Sequence, residues 1–433
     1  MWLNVILALL LNITSTLGCP QPCQCDSGKV DCTQAGLKTW PINLPANITT
    51  LVLSRNQLKW IPASVSYLYP QLKILDVSHN QIGQVDDNIQ LDHLEKLDLS
   101  HNAITNLRFL QGLPKLQHFD ASFNRLVELE NSTFIRSAKL YWLSIDGNPI
   151  QTLPSGLFRR NEMVGYLSLS NLDIEILPAK LLDPLTRLQQ LEVRDNPRLD
   201  SLRDEVFHYL GNSLRHLSLA NNSLTSLPRS LRQLDALRSL NLDGNSFHCD
   251  CQLFWFANWL EKRPNINPST GMFCSESQLP LVETLWKMHC SAVRLETSTL
   301  FQEAILGQPV VLTCNFSGNP QPNVTWVTPD RTVYRWPYLM PSSAADNVTL
   351  LSSGQLQVNS LSRQTAGDYA CHASNALSNV TAFMRIQITP KGFRRVQIHS
   401  IIAGFTCVGA FVLVTLLVQG IRYLMDRYFN LVN

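Results

Sequence analysis

The sequence lacks the features that mark an enzyme or a nucleic-acid-binding protein. Charged residues make up only 16% of its 433 residues and the formal net charge is +2, so no basic face or stripe for nucleic acid is indicated. No glycine-rich phosphate loop, H-E-x-x-H or G-x-S-x-G motif occurs. Ser, His and Asp are plentiful, but they recur at the positions of an internal repeat. We therefore expect no catalytic site, no cofactor and no metal site.

Two apolar stretches indicate secretion and a membrane anchor. The first, in "MWLNVILALLLNITSTLG" (1–18), has an apolar core of about ten residues followed by small and polar ones, which predicts a secretory signal cleaved before Cys19. An uncleaved anchor is disfavoured because a membrane span needs about 20 apolar residues. The second stretch, 399–421, contains no Asp, Glu, Lys or Arg and predicts a transmembrane helix at 400–421.

Cysteines and glycosylation motifs are distributed as expected for an extracellular N-terminal segment. Ten of the eleven cysteines lie between Cys19 and Cys371 and form an even set for disulfides, whereas Cys407 lies inside the predicted span. Seven N-x-S/T motifs follow the signal and all precede the helix: Asn47, Asn131, Asn221, Asn315, Asn323, Asn347 and Asn379. We predict glycosylation at these sites and a single-pass type I protein of the plasma membrane, with a cytosolic tail at 422–433.

The middle of the chain repeats the pattern L-x-x-L-x-L-x-x-N-x-L nine times, as in "LKILDVSHNQI" and "LEKLDLSHNAI". Eight copies hold the asparagine: Asn56, Asn80, Asn102, Asn124, Asn148, Asn196, Asn222 and Asn245. The pattern predicts a leucine-rich repeat solenoid over 47–245, in which each x-L-x-L segment is a short strand with inward leucines. In the sixth copy Leu172 replaces the asparagine, whose side chain can hydrogen-bond the backbone at the turn, so we expect a local irregularity there.

Four cysteines flank the repeats on each side. Cys19, Cys23, Cys25 and Cys32 precede them, and Cys249, Cys251, Cys274 and Cys290 follow them. A solenoid exposes its core at both ends and needs caps, which we place at 19–46 and 246–291. Disulfides are favoured over zinc because the chain is predicted to be secreted and no histidines cluster with these cysteines. Spacing alone leaves three pairings for each set of four.

Beyond 291 the pattern changes to short alternating strands. Trp326 follows Cys314 by twelve residues, and Tyr369 precedes Cys371 by two. This Cys…Trp…Tyr-x-Cys pattern is typical of an immunoglobulin sandwich, whose tryptophan packs on the disulfide and whose tyrosine holds a corner. We predict such a domain at 292–389, with a Cys314–Cys371 disulfide.

The whole chain resembles the LRR–Ig family of single-pass cell-surface proteins, which join cysteine-capped repeats to an immunoglobulin domain and a short tail. The resemblance implies an α/β leucine-rich repeat solenoid, an all-β immunoglobulin sandwich, a juxtamembrane segment at 390–399 and a single transmembrane helix. "GNPQPNVTW" is similar to I-set domains, but Thr365 stands where they usually carry Asp, so an ion pair is expected to be missing. The resemblance also implies the disulfide pairs Cys19–Cys25, Cys23–Cys32, Cys249–Cys274 and Cys251–Cys290.

The register of the repeats predicts a binding surface. Side chains beside and between the strand leucines point onto the concave face, because side chains alternate along a strand. Aromatic and acidic side chains meet there, and these types favour a protein partner that carries Lys or Arg. The predicted ligand-binding residues are Asp98, Asp120, His118, Trp142, Ser144 and Tyr166. In the alternative interpretation, the aromatic rings only pack on one another and have no partner.

Small residues share one face of the predicted membrane helix. Ala403, Thr406, Cys407 and Ala410 fall at i, i+3, i+4 and i+7, and small residues let another helix approach closely. Two functions follow. The first is an adhesion or co-receptor molecule that binds an extracellular or cell-surface protein. The alternative is an auxiliary subunit of a multispanning membrane protein, such as a channel or a lipid-sensing receptor. The tail is too short for a signalling domain, although "YFNL" within it resembles a sorting signal.

Overall fold

The computed structural model describes residues 19–337, 347–389 and 391–432. The predicted signal peptide at 1–18 lies outside the described residues, and so do the side chains of the "YFNL" segment. The described residues form two compact units that divide between Met288 and His289.

The first unit is a leucine-rich repeat solenoid built on one sheet. In chain order its strands are β1 (Gln24–Asp26), β2 (Lys29–Asp31), β3 (Thr50–Val52), β4 (Trp60–Ile61), β5 (Ile74–Asp76), β6 (Gln84–Val85), β7 (Lys96–Asp98), β8 (His118–Asp120), β9 (Trp142–Ser144), β10 (Tyr166–Ser168), β11 (Gln190–Glu192), β12 (His216–Ser218), β13 (Ser239–Asn241) and β14 (Asn267–Pro268). Twelve of them form one sheet in the order β1-β2-β3-β5-β7-β8-β9-β10-β11-β12-β13-β14, and β4 pairs with β6. From β2 to β14 the neighbours in this sheet run parallel.

Short helices complete the first unit: α1 (Val65–Leu68), α2 (Phe254–Glu261), α3 (Leu281–Lys287) and two 3-10 helices (Arg108–Gly112 and Arg229–Gln233). The central leucine position of each repeat strand is buried, as at Leu97, Phe119 and Leu143. These side chains belong to one core that runs from the first cap to the second. The solenoid fold expected from the sequence is therefore observed.

An asparagine ladder joins consecutive repeats. In a regular copy, the Asn124 side-chain amide donates to the carbonyls of Leu99 and Ala121, and its oxygen accepts the N–H of Ile104. In the regular copies the asparagine thereby satisfies backbone groups of its own repeat and of the repeat before it. These groups are buried, so leaving them unpaired would cost free energy.

The irregularity expected at Leu172 is resolved by the preceding repeat. Leu172 is buried, and the groups that an asparagine would have bound find other partners. The Ile145 carbonyl accepts from the Asn148 amide at 2.8 Å, and the Ile150 N–H donates to the Asn148 carbonyl at 2.8 Å. Asp146 adds a bridge between the two repeats, because its carboxylate accepts the Ser170 N–H at 2.7 Å.

Disulfides lie in both caps. Cys19 is bonded to Cys25 and Cys23 to Cys32, beside the antiparallel β1–β2 pair that extends the sheet. In the second cap Cys249 is bonded to Cys274. These are pairs that the family resemblance implied. Cys251 and Cys290 are each disulfide-bonded as well, and their pairing with each other stays a prediction.

The second unit contains the immunoglobulin sandwich. Its strands are β15 (Ser291–Ser298), β16 (Phe301–Ala304), β17 (Val310–Leu312), β18 (Cys314–Asn319), β19 (Asn323–Val327), β20 (Val333–Trp336), β21 (Val348–Leu350), β22 (Leu356–Val358), β23 (Gly367–Ser374) and β24 (Asn379–Ile388). They form sheets of order β16-β24-β23-β19-β20, β17-β22-β21 and β15-β18. This unit begins at His289, before the expected boundary at 292, because β15 already starts at Ser291 to pair with β18.

The immunoglobulin core has the expected constellation. Trp326 is fully buried, its indole N–H donates to the Gly354 carbonyl at 2.9 Å, and Cys314 is bonded to Cys371. The Tyr369 hydroxyl donates to the Thr365 carbonyl at 2.6 Å, which fixes the corner. The Thr365 hydroxyl accepts the backbone N–H of Ser362 at 2.8 Å, so a neutral hydrogen bond occupies the position of the usual acidic residue.

One long helix, α4 (Lys391–Val432), follows the sandwich. Its segment Gln397–Arg427 contains an 18-residue stretch with a mean hydropathy of 2.6 and is long and apolar enough to cross a membrane. The segment extends beyond the span predicted at 400–421 at both ends, because the helix begins before Gln397 and continues through Arg422, Asp426 and Arg427.

Candidate functional site on the concave face

Three aromatic side chains form a ring stack on the concave face: His118, Trp142 and Tyr166. They occupy equivalent positions of β8, β9 and β10, which pair in register. The ring centroids of His118 and Trp142 lie 4.0 Å apart, those of Trp142 and Tyr166 lie 4.9 Å apart, and the planes differ by 9° and 3°. Neighbouring strands are about 4.8 Å apart, so one ring on each strand places the rings at stacking distance. Because they cover one another, all three are half-buried rather than fully exposed.

The ring stack is uncharged at neutral pH. Burial lowers the pKa of His118 to about 4, and the neighbouring Lys96 acts in the same direction. Burial also raises the pKa of the Tyr166 hydroxyl to about 12, with a further contribution from Glu192. The stack therefore presents a neutral, polarisable surface to a partner.

We expect His118 to make the repeats less stable in acid. Its pKa is about 4 in the folded chain and 6.5 when unperturbed, so between these values the unfolded chain takes up a proton that the folded chain does not. The stabilisation present at neutral pH is thus lost as pH falls from about 6.5 to about 4. Thermal unfolding at pH 7 and pH 4.5 should show a larger decrease in Tm for the wild type than for His118→Phe. Equal decreases would contradict the assignment.

A row of carboxylates runs beside the stack, on Asp76, Asp98 and Asp120. Each accepts the N–H of the serine two residues later through Oδ1, at 2.9 to 3.0 Å. Burial raises the pKa of Asp120. These aspartates therefore have a structural function in the turn after each strand. The register of β5, β7 and β8 also places them side by side on neighbouring strands.

Ser144, which was predicted to bind a ligand, is buried in the structure. Its side chain is only 4% exposed. It lies next to Asp146, whose carboxylate extends to Ser168 and Ser170 of the next repeat. Asp146 thereby links the two repeats, and Ser144, Ser168 and Ser170 around it are all buried.

A second ring stack, which sequence reasoning missed, consists of His79, His101 and Phe123. Their ring centroids are separated by 4.2 Å and 4.5 Å, with planes within 8° and 7° of parallel. Phe123 is 46% exposed. All three residues have positive φ and directly precede a ladder asparagine. This recurrence of aromatic rings before the repeat asparagine was the available signal in the sequence.

Gly147 lies against Phe123, the last ring of this second stack. It has a φ of +62°, and a Cβ atom there would lie 2.5 Å from the Phe123 ring. Gly147→Ala should therefore displace Phe123 in addition to the cost of the left-handed backbone, which is about 1 kcal/mol. Gly36→Ala is the matched control, because Gly36 has a φ of +70° with nothing within 4 Å. Thermal unfolding should show a larger decrease in Tm for Gly147→Ala than for Gly36→Ala. Equal decreases would contradict the close contact between Gly147 and the Phe123 ring.

The two stacks flank the carboxylate row. Burial lowers the pKa of both His101 and His118, and the negative charge of Asp98 raises the pKa of each by a smaller amount. Tyr141, half exposed, lies against Gly165 and adds a further ring at the opposite edge from Phe123. Within the described residues no group of three or more His, Cys, Asp or Glu is arranged to hold a metal ion. The arrangement is suited to noncovalent recognition.

All seven predicted glycosylation sites are exposed, and none belongs to either ring stack. The side-chain oxygen of Asn131 accepts the N–H of Gly156 at 3.0 Å. This bond orients the Asn131 side chain and does not involve its amide nitrogen, the atom to which a glycan would be attached. Asn221 has the same positive-φ position as Phe123, four repeats further along the chain. Glycosylation itself stays a prediction.

The small residues predicted to associate helices, Ala403, Thr406, Cys407 and Ala410, are all exposed on α4. Cys407 is the free cysteine among the described residues. The Thr406 hydroxyl donates to the Ala403 carbonyl of its own helix at 2.8 Å. With that hydroxyl already bonded, this face offers close packing rather than a polar contact.

The comparisons with known proteins agree with this architecture. The immunoglobulin domain family matches residues 295–375, and the leucine-rich repeat family matches residues 70–126 and 195–247. The chain therefore combines leucine-rich repeats with an immunoglobulin domain, an LRR–Ig architecture. Neither matched family is a catalytic one.

Similar proteins of known name are receptor-like. The NT-3 growth factor receptor of Homo sapiens is 33% identical over 145 residues, which cover 33% of the LRR–Ig chain and 17% of the receptor. The leucine-rich repeat and immunoglobulin-like domain-containing nogo receptor-interacting protein 2 of Mus musculus is 30% identical over 170 residues, covering 36% of the chain and 26% of that protein. The chain thus spans about a quarter or less of the length of these relatives.

Among solved structures, one similar chain belongs to an octameric complex of Latrophilin 3, Unc5D and FLRT2. It is 22% identical, with a TM-score of 0.47, and the alignment covers 61% of the LRR–Ig chain and 97% of that chain.

Proposed function

We propose that this LRR–Ig protein is a single-pass receptor of the plasma membrane that binds an extracellular protein through the concave face of its repeats. The observation that carries the proposal is the ring stack of His118, Trp142 and Tyr166. Stacked rings fixed on paired strands lose little entropy on binding, and Trp and Tyr are the residue types most enriched among interface hot spots. The partner would act in adhesion or as the other component of a co-receptor.

The charge of the surface suggests the chemistry of the partner. The carboxylates of Asp76, Asp98 and Asp120 follow one another on neighbouring strands, between two aromatic stacks. Lys or Arg side chains can pair with these carboxylates, which favours a partner with a basic strip. Electrostatic steering of this kind mainly raises the association rate and weakens with salt.

Beside Tyr166, the concave face continues into a shallow cavity of about 270 Å³ lined by Gln190, Glu192 and His216. Glu192 accepts the Gln190 amide at 2.9 Å and lies 3.2 Å from the Arg194 guanidinium. The cavity offers room for one long side chain of the partner next to the ring stack.

The orientation in the membrane is part of the proposal. The predicted signal peptide, the predicted glycosylation sites and the disulfides all favour an extracellular repeat domain and sandwich. The small-residue face of α4 supports a second candidate function, that of an auxiliary subunit that packs against a multispanning protein.

Purification of the full-length protein from its native membranes in mild detergent tests both functions. A parallel protein would carry an unrelated transmembrane helix and tail. The proposal requires an extracellular partner that is retained after the swap and is lost when Trp142 and Tyr166 are both replaced with serine. A multispanning partner that disappears with the swapped helix would instead establish the auxiliary subunit.

A further inference from the structure

The outer face of the five-stranded immunoglobulin sheet carries an exposed apolar row. Val333, Val327, Ala370 and Phe383 are register partners across β20, β19, β23 and β24. Alternation along each strand turns them away from the core, and Phe383 remains 71% exposed. An isolated exposed apolar residue is ordinary, but a row across four strands is typical of an interaction surface.

An ion pair borders this row. Asp368 and Arg385 are themselves cross-strand partners, one position along from Phe383 on the same outer face. The guanidinium donates to the carboxylate through Nε at 2.6 Å and Nη2 at 2.8 Å. Both side chains are largely exposed, and an exposed pair contributes little to the stability of a fold. The planar guanidinium is nevertheless held in place, with its partner of opposite charge beside it.

We propose that this row is the contact surface of a homodimer, in which the immunoglobulin domain of a second copy of the chain packs on Phe383. A twofold interface is self-complementary, because residue i of one copy meets residue j of the other and j meets i. Opposite charges on adjacent strands meet this requirement: after a twofold rotation, Asp368 of each copy faces Arg385 of the other. Phe383 and Ala370 then supply a large and a small group that fit together across the interface.

The distribution of predicted glycans is compatible with the proposed contact. Asn323 and Asn379 lie on the same outer face, at the opposite end of β19 and β24 from the row. Asn379 precedes Phe383 by four residues, which is about 13 Å along a strand. Glycans would cover that end and leave the Phe383 end accessible. The homodimer does not depend on the concave-face function, since it uses a different domain.

Charge-reversal variants of the full-length protein test the homodimer. Energy transfer between two differently labelled chains in one cell membrane should exceed that of an unrelated single-pass protein. Asp368→Arg alone and Arg385→Asp alone should each reduce the transfer to background, because like charges then face each other. A mixture of an Asp368→Arg chain with an Arg385→Asp chain should restore it.

Two further variants complete the design. Phe383→Ser should abolish the transfer, and Val311→Ser is its matched control, an exposed apolar residue on the other sheet that should change nothing. Surface delivery of each variant confirms folding. The proposal is overturned if wild-type transfer stays at background, if the single reversals have no effect, or if the mixed pair is not restored. Transfer that survives every reversal would place the association in the transmembrane helix instead.

Discussion

Replacing both Trp142 and Tyr166 with serine is expected to weaken binding of the extracellular partner by at least about 100-fold. Hot-spot aromatics each contribute about 2 kcal/mol or more, and every 1.4 kcal/mol corresponds to a tenfold change in affinity. The two rings are two of the three members of the stack, and removing them leaves His118 without its neighbour at 4.0 Å. Equilibrium binding of the full-length protein to its captured partner measures the loss.

A matched control separates lost contacts from lost structure. Tyr67 and Tyr209 are exposed aromatic side chains that lie outside the concave strands. Replacing both with serine removes a comparable amount of aromatic surface and should leave binding unchanged. If the Trp142 and Tyr166 variant were delivered normally to the cell surface and bound as tightly as the wild type, the stack would be a packing feature without a partner.

Replacing Asn148 with leucine is expected to destabilise the solenoid by about 4 kcal/mol, since each buried polar group left unpaired costs about 1–3 kcal/mol. Asn148 is only 2% exposed. Its amide donates to the carbonyls of Ala121 at 3.0 Å and Ile145 at 2.8 Å, and its oxygen accepts the Leu126 N–H at 3.0 Å. The variant leaves the Ile145 carbonyl without a hydrogen-bond donor. In a regular repeat the asparagine of the following repeat would also donate to this carbonyl, but here that position is Leu172.

Asn124→Leu is the appropriate comparison, because Asn124 is also buried and lies in a regular part of the ladder. When it is removed, the Ala121 carbonyl still accepts from the Asn148 amide at 3.0 Å. Its cost should be smaller by about the penalty of one orphaned buried group, 1–3 kcal/mol. Thermal unfolding of the full-length chain in mild detergent measures both. Equal losses of stability in the two variants would show that Asn148 does not compensate for the missing asparagine at Leu172.

Periodicity alone predicted the main elements and much of the site. Inward leucines at fixed spacing determine which residues form each strand, and parallel in-register pairing then places equivalent positions side by side. Trp142 and Tyr166 could therefore be predicted to be neighbours without a structure. The immunoglobulin domain was equally predictable, since Trp326 and the two cysteines occupy positions that only that sandwich brings together.

Only the tertiary structure determined which polar residues are accessible and which rings meet at the edge of the sheet. Ser144 is buried, and Asp146 beside it accepts the Ser170 N–H of the next repeat. Phe123 joins a second stack because its positive φ directs the ring over Gly147. Such contacts depend on the backbone of a neighbouring repeat, about 24 residues away along the chain and adjacent in space. A leucine pattern specifies the stacking of repeats, and the packing between them decides how each exposed side chain is presented.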